Sequence, residues 1–521
     1  MVSVLANGIL LPLLLIPLLM VTLMGISLFL PHLSTARIAR YVQIHFGLLW
    51  MCALSLFVLV IVHGPFDLSL VRVPLASTQI VPLGFLLDRV SVSMLLLVIT
   101  VSGIVHLYSL RAMQEERYFY RYFFLLSLVT LEVILVILAN NLLMLGLFWM
   151  LKGLTLTFLL AHYQHRPLSW RAAWMKLRID LIGDIALICA LILTWQLFHT
   201  FSIQAILSTS MEHMGGVEGT LLTLALLVAA IAKSAQLPLH SWLPSSVEAP
   251  TPVSALMHAG LINAGGFLLI RLSALVVATP FTMGCAIVIG GLTALYGSMV
   301  MLTRNDVKGM LVYSTMGQMG FMILECGLGM FALALLHIIV HGFFKAHAFL
   351  NSGSVIQQKN SSRLFSPPAS ATPLTSARIL FMSGLLVALV FALMQIAIDP
   401  PFKPGNMILL FAWMTIAHAL ARTLRISFHF PRYILPATIG VLGIILLYTI
   451  AIHGIEIFFA PVVAANPFTP NSLLFTSGSI FLLCAGLISI ILPSLHQPQQ
   501  INTFLKRLYV FALYRGVRKI G

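Results

Sequence analysis

The residues of this chain that can do chemistry are ionisable groups set inside apolar sequence. Between Lys233 and Arg271, KSAQLPLHSWLPSSVEAPTPVSALMHAGLINAGGFLLIR places a lysine and a histidine in apolar stretches on either side of a proline-rich break. A charge at the centre of a bilayer costs about 2.5 to 3.5 kcal/mol on insertion scales, so such groups line an ion path or meet a partner charge. Lys233 closes the unbroken run LLTLALLVAAIA, and Pro238 then interrupts the helix by deleting a backbone hydrogen bond. Discontinuous helices are what transporters use at midplane sites; the competing role is a lysine that snorkels to the interface. His258 follows Pro250 and Pro252 in the next apolar run. A neutral imidazole there either relays protons or only bridges two helices by a hydrogen bond.

His337, His341 and Lys345 recur at spacings of four, which puts them on one face of a single helix, with His347 on another. Such a stripe suits proton hopping through water, or else forms a polar seam against a neighbouring helix. Glu132 is central in SLVTLEVILVILA, where a carboxylate stays protonated or seeks a cation, and Lys152 in the following run is a candidate partner. Asp184, with Arg178 and Asp180, forms a further cluster near the start of a helix, serving either interface anchoring or a pathway. Asp88, in LLDRVSVS, heads another helix and can cap its exposed amides.

The elements that position these groups are membrane helices. The 521 residues are 60% hydrophobic and 8% charged, a composition of polytopic membrane proteins. Runs of spanning length lie near 8–30, 41–62, 85–110, 119–138, 141–162, 178–197, 219–239, 253–278, 281–302, 309–327, 330–356, 378–398, 405–424, 433–453 and 473–493, about fifteen in all. The expected fold is all-α and polytopic, with a helix broken between Lys233 and Pro238. The first run has no basic leader, so a retained helix is expected rather than a removed signal peptide.

The net charge of +15 does not indicate nucleic acid, because the basic residues occupy alternate loops. Arg37 and Arg40, Arg111 and Arg117, Arg166 and Arg171, Arg304 and Lys308, Lys359 and Arg363, Arg422 and Arg425, and the tail Lys506 to Lys519 fall on one side of a fifteen-span count. That puts the N-terminus outside and the C-terminus inside. Cys52, Cys189, Cys285, Cys326 and Cys484 lack metal-ligand spacing, and no phosphate-cradling or dinucleotide motif is present. No cofactor is expected in this chain, nor catalysis by it; transport energy comes from an ion gradient or a partner.

KSAQLPLHSWLP, APTPVSALMHAG, DVKGMLVYSTMGQMGF and LHIIVHGFFKAHAFLNSGSVI resemble the antiporter-like membrane subunits of respiratory complex I and of multisubunit cation/proton antiporters. The similarity covers roughly residues 80 to 358, including HLYS at His106 to Ser109, while the last 160 residues match poorly. HAGLINAGGFLL, RPLSWRAAWMKLRIDLIGD and LKRLYVFALYRG are closer to the membrane subunits of DAB-type inorganic carbon accumulation complexes.

The resemblance implies an antiporter-like fold with inverted repeats: N-terminal helices over 1–110, a first repeat over 111–278, a second, degenerate repeat over 279–430, and C-terminal helices with a basic tail over 431–521. It implies that Lys233 is the central lysine, that His258 follows it, and that His337, His341 and Lys345 form a connecting polar axis. Asp184 matches the family's Gly-Asp and Asp88 its early aspartate. Respiratory members place a glutamate after the tryptophan of the fifth helix; here Met150 follows Trp149, which removes the usual carboxylate partner of Lys233. The second half offers Gln395 and no mid-helix lysine, and Glu132, Glu325 or His418 are the groups left for an altered route. The DAB resemblance implies a large soluble zinc-binding partner similar to a β-carbonic anhydrase, driven by flow of protons or another cation through this chain. Its basic tail from Ile501 either contacts that partner or lies on anionic lipid. The alternative is a proton-pumping or sodium/proton antiporter module, and a third reading is a non-conducting scaffold.

Overall fold

A computed structural model describes residues 2–29, 35–76, 79–354 and 434–463. In chain order the elements are α1 (Val2–Phe29), α2 (Thr35–His63), β1 (Phe66–Ala76), β2 (Gln79–Leu87), α3 (Arg89–Ala112), α4 (Phe119–Leu138), α5 (Leu142–Leu160) and α6 (Pro167–Phe198). They continue with α7 (Ile203–His213), α8 (Val217–Lys233), α9 (Trp242–Ser245), α10 (Thr251–Ala259), α11 (Ala264–Arg271), α12 (Ser273–Val277), α13 (Pro280–Leu302), α14 (Val307–Gly327), α15 (Phe331–Leu350) and α16 (Ile434–Phe459). Nine helices among the described residues are long and apolar enough to cross a membrane. The runs expected at 378–398, 405–424 and 473–493 lie outside the described residues, as do Gln395, His418, the basic pairs at 359–363 and 422–425, and the tail.

The chain is a multi-pass, mostly α-helical membrane protein, and its burial pattern suits a hydrocarbon solvent. On α6, Trp174, Ile182, Ile185 and Ile192 face outward while Lys176, Asp180 and Thr194 are buried. A helix with its apolar face outside and its polar residues inside packs by enclosing those residues in a bundle, because lipid satisfies the apolar side equally well.

The described residues fall into two compact units. The first comprises Met1–Gly327, Ala334–Gly353 and Phe459–Ala464. It contains every helix from α1 to α14 and most of α15, and holds all the ionisable groups treated below. The second comprises Leu328–Leu333, Ser354–Phe458 and Ala465–Gly521; its described part is chiefly α16.

Three elements depart from the sequence expectation. β1 and β2 form an antiparallel hairpin just before α3, and its second strand takes the head of the apolar run expected to begin at 85. Asn140 fastens the hairpin: its side-chain oxygen accepts from Gly84 N at 2.9 Å, and its amide donates to Asp67 at 2.9 Å. α6 starts at Pro167 rather than near 178, because proline at the first helical position costs no hydrogen bond. Its 32 residues span about 48 Å at 1.5 Å per residue, so Asp180 and Asp184 lie mid-helix and not near its start. The run expected at 253–278 is three helices, α10, α11 and α12, interrupted at Gly260–Asn263 and at Leu272.

Asp88 caps α3, accepting from Ser91 N at 2.8 Å while Ser91 Oγ receives the Asp88 amide at 2.8 Å. Its other carboxylate oxygen meets the Arg271 guanidinium at 2.5 Å, tying the start of α3 to the end of α11. Both side chains are buried. Removing one partner of a buried pair strands the other charge, at a cost of about 3–5 kcal/mol. Arg271→Met is therefore expected to lower the melting temperature of the full chain in detergent. Asp88→Asn added to Arg271→Met is expected to recover much of the loss, since asparagine keeps the cap without the stranded charge. A double variant no more stable than Arg271→Met would show that the pair does not carry this stability.

Candidate functional site: a buried lysine at a helix break

α8 ends at Lys233, and the backbone turns away through Ala235, whose φ is +50°. In a membrane the carbonyls freed by such a break need donors from the protein. Trp242 of α9 supplies one, its indole N–H donating to Ala232 O at 3.2 Å. Gln236 N donates to Ile231 O at 3.0 Å, and Leu237 N donates to Thr293 Oγ1 of α13 at 3.0 Å. Ser234 joins this break to the one between α10 and α11: its hydroxyl donates to Ile262 O at 2.8 Å and accepts from Gly265 N at 3.2 Å. Gly265 permits that approach, because a Cβ there would lie 2.3 Å from Ala230 O. Asn263 Nδ2 closes the second break on Ala259 O at 2.8 Å.

Lys233 is buried and does not snorkel: it is 6% exposed, and its ammonium points across to α6. Its Nζ lies 3.0 Å from Asp184 Oδ1 and 3.3 Å from Asp180 Oδ2. The same Asp180 oxygen also pairs with Lys176, one turn earlier on α6. Lys176 in turn donates to Gly153 O of α5 at 2.8 Å. This closeness to α5 needs a glycine, since a Cβ at position 153 would lie 2.6 Å from Lys233 Nζ and 2.9 Å from Asp180 Oδ2. Beside the cluster is a small void with room for about one water molecule, bordered by Lys152, Lys176, Asp180 and Lys233 but lined mostly by apolar surface, Leu156, Leu261 and Ile262 included.

Glu132 and Lys152 are not brought together as an ion pair. The Glu132 carboxylate accepts from Thr155 Oγ1 at 2.9 Å, and Lys152 lies over the Trp149 ring at 4.3 Å. Trp149 thus does for Lys152 what a carboxylate was expected to do, presenting an electron-rich ring face to a desolvated cation.

On α15 the expected stripe is formed, with His341 and Lys345 buried, His337 partly buried and His347 exposed on another face. His337 Nδ1 is 3.0 Å from Glu325 Oε2 of α14, and its Nε2 is 2.9 Å from Gln318 Oε1. The His337 and His341 rings are 6.1 Å apart, centroid to centroid. Lys345 donates to Leu311 O at 3.2 Å. His258 stacks on Phe349 of α15 at 4.4 Å, and lies within electrostatic reach of Lys345 and of His341. α15 approaches α10 closely because Gly342 faces Ala259 O, where a Cβ would sit at 2.8 Å. Among the described residues neither ring nitrogen of His258 or His341 has a hydrogen-bond partner.

The structure therefore gathers the sequence candidates into two groups. Lys233 and Asp184 meet directly, with Lys152 beside their void, and Glu132 is joined to α5 through Thr155. His258, His337, His341 and Lys345 gather around α15. Sequence reasoning passed over Lys176, Arg271 and the partnership of Asp180 with Lys233. The signal was present as Lys176, Asp180 and Asp184 at spacings of four, but an α6 begun near 178 leaves Lys176 outside the helix.

Comparison with known proteins agrees with this architecture. Residues 139–430 match the NADH:quinone oxidoreductase/Mrp antiporter transmembrane family, and residues 76–123 match the N-terminal region of complex I chain 5. The first match extends well past residue 358, further than the sequence motifs suggested. "Probable inorganic carbon transporter subunit DabB1" of Halothiobacillus neapolitanus is 38% identical over 72% of this chain and 70% of that protein. "Probable inorganic carbon transporter subunit DabB" of Hydrogenovibrio crunogenus is 37% identical over 65% of this chain and 64% of that protein. NADH-ubiquinone oxidoreductase chain 5 of Allomyces macrogynus is 36% identical, but the chain spans only 48% of its length. The Mrp complex of Dietzia sp. DQ12-45-1b shares the fold, with a TM-score of 0.63 at 21% identity, covering 97% of this chain and 59% of that one. The chain belongs to the NADH:quinone oxidoreductase/Mrp antiporter transmembrane family and, among its members, is similar to the DabB subunits.

Proposed function

We propose that this chain is the membrane subunit of an energy-coupled inorganic carbon uptake complex, conducting protons or another cation to drive a zinc-binding, carbonic-anhydrase-like soluble partner. The observation that carries this reading is Lys233, a buried ammonium at a helix break, held by two carboxylates of a neighbouring helix beside a water-sized void. A structural ion pair needs neither the break nor the void. A group that gives up and regains a proton needs both, because proton transfer through lysine requires a carboxylate to stabilise the charged form and a route for water.

In this reading Lys233 and Asp184 form the exchange pair, with Lys152 and Glu132 on the α5 and α4 side. His258, His341, His337 and Lys345 carry the proton onward, ending at Glu325 through the contact with His337. Carbon dioxide hydration belongs to the partner, and this chain anchors that partner and couples it to the proton-motive force. The site lies in a bacterial inner membrane, with the basic loops cytoplasmic. The relatives named as inorganic carbon transporter subunits support the carbon reading over a respiratory one.

Gentle purification of the complex from native membranes tests the assignment. A single large zinc-bearing soluble partner is expected; several membrane subunits or iron–sulfur proteins would instead make the chain a respiratory or antiporter module. Lys233→Met is expected to abolish inorganic carbon uptake in cells while the partner still copurifies in normal amount. Uptake that persists in this variant would leave the chain as a scaffold. Gly153→Ala is expected to lower uptake at least tenfold with normal membrane levels, because its Cβ pushes into the space of the Lys233 ammonium. Uptake at the normal rate in Gly153→Ala would mean that the cluster is not where conduction occurs.

A further inference from the structure

The charged groups around the void do not balance. α5 contributes Lys152, α6 contributes Lys176, Asp180 and Asp184, and α8 contributes Lys233, so three ammonium groups meet two carboxylates. Glu132 of α4 stands behind, with one oxygen engaged by Thr155. Only Asp180 is divided: one of its oxygens is within ion-pair distance of both Lys176 and Lys233. Lys176 has other fixed partners, donating to Gly153 O and, at 3.4 Å, to Thr157 Oγ1, and it lies 5.9 Å from the Trp242 ring. It is 2% exposed, so its charge rests chiefly on these protein partners. Lys233 lacks such backbone anchors and leans on Asp184 and Asp180 alone among the described residues.

From this sharing we infer that Lys176 and Asp180 act together as a positioning pair for Lys233: by competing for the Asp180 carboxylate, Lys176 sets how firmly Lys233 keeps its proton. When Asp180 turns to Lys176, Lys233 is left with Asp184, its ammonium is less stabilised, and its proton passes to water in the void. When Asp180 returns, the ammonium is restored by uptake of a proton. One carboxylate moving between two lysines that both already reach it transfers no net charge by itself, so the step needs no further cation. The missing glutamate at Met150 is thereby made good from α6 rather than from α5. This role rests on the reading of Lys233 as the conducting group.

The test is the pH at which Lys233 loses its proton, read from the side-chain nitrogen resonance of isotope-labelled lysine in the full chain in lipid nanodiscs, with Lys233→Arg identifying the signal. Lys176→Met leaves Asp180 wholly to Lys233, favours the ammonium, and is expected to raise the midpoint by about 1 pH unit. Asp180→Asn removes the shared carboxylate but keeps the Lys176 charge, and is expected to lower the midpoint by about 1 pH unit. Lys176→Arg, which keeps the charge, should restore a midpoint near that of the unaltered chain. A pair without hold on the Lys233 proton would leave the midpoint unmoved or shift it the same way in both variants, and either result overturns the inference. If Asp180→Asn fails to accumulate in membranes, Lys176→Met decides alone: an upward shift supports competition, and no shift or a downward one refutes it. Opposed shifts in a chain that conducts no protons would count against the proposed function and leave the role of Lys176 standing.

Discussion

The site is organised by the requirement that Lys233 be charged where there is little water. An ammonium inside a bundle of membrane helices survives only with counter-charge at contact distance, and that charge must come from a neighbouring helix. Asp180 and Asp184 of α6 supply it, at 3.3 and 3.0 Å. From this follow the close packing of α6 on α8, the inward turning of the α6 polar face, and the glycine at 153 that admits the cluster against α5. The outward face of α6 is free to be apolar, since hydrocarbon solvates it as well as protein does.

The backbone answers a second requirement created by the same lysine. Ending α8 at Lys233 places the ammonium at the carbonyl end of a helix, where the macrodipole favours positive charge. It also frees carbonyls that hydrocarbon cannot solvate. The Trp242 indole and the backbone amides of Ser234 and Gln236 meet that need, while the Ser234 hydroxyl serves the break in the following helix. One residue, Ser234, thus ties the two discontinuities together, its amide closing the first and its hydroxyl the second. His258, on α10 just before the second break, is held by the same arrangement within reach of the α15 stripe.

Much of this was legible in the residues. The interruption after Lys233 follows from Pro238 and the polar Ser234 and Gln236, and the His337, His341, Lys345 face follows from helical spacing alone. Asp88 as a cap was readable from LLDRVSVS, but its bond to Arg271 was not, because the two are 183 positions apart and nothing local links them. The hairpin at 66–87 was hidden by its own hydrophobicity: β2 is apolar enough to pass for the start of a span. The second helix break was hidden for a related reason, since Gly260 and Asn263 lie in an otherwise apolar stretch, where small and amide residues are common at helix contacts. Lys176 was lost to a misplaced boundary, as charge at 176–184 reads locally as the end of a membrane segment rather than its middle.

That last point bears on what surrounds Lys152 and Lys233 when residue 150 is methionine. Judged along the sequence, replacing a carboxylate beside Trp149 with methionine leaves Lys152 and Lys233 with one carboxylate fewer. Judged in space, the change is absorbed by two substitutes of different kind. The Trp149 ring covers Lys152 with its π face, an attraction of about 2 kcal/mol when desolvated. Asp180 covers Lys233 with a full charge, but only by sharing it with Lys176. A shared carboxylate holds each lysine less firmly than a dedicated one would, because each approach to one ammonium is a retreat from the other. A fixed glutamate would hold Lys233 more firmly than a divided aspartate does, so the firmer hold on this ammonium falls to Asp184, 3.0 Å away against 3.3 Å for Asp180.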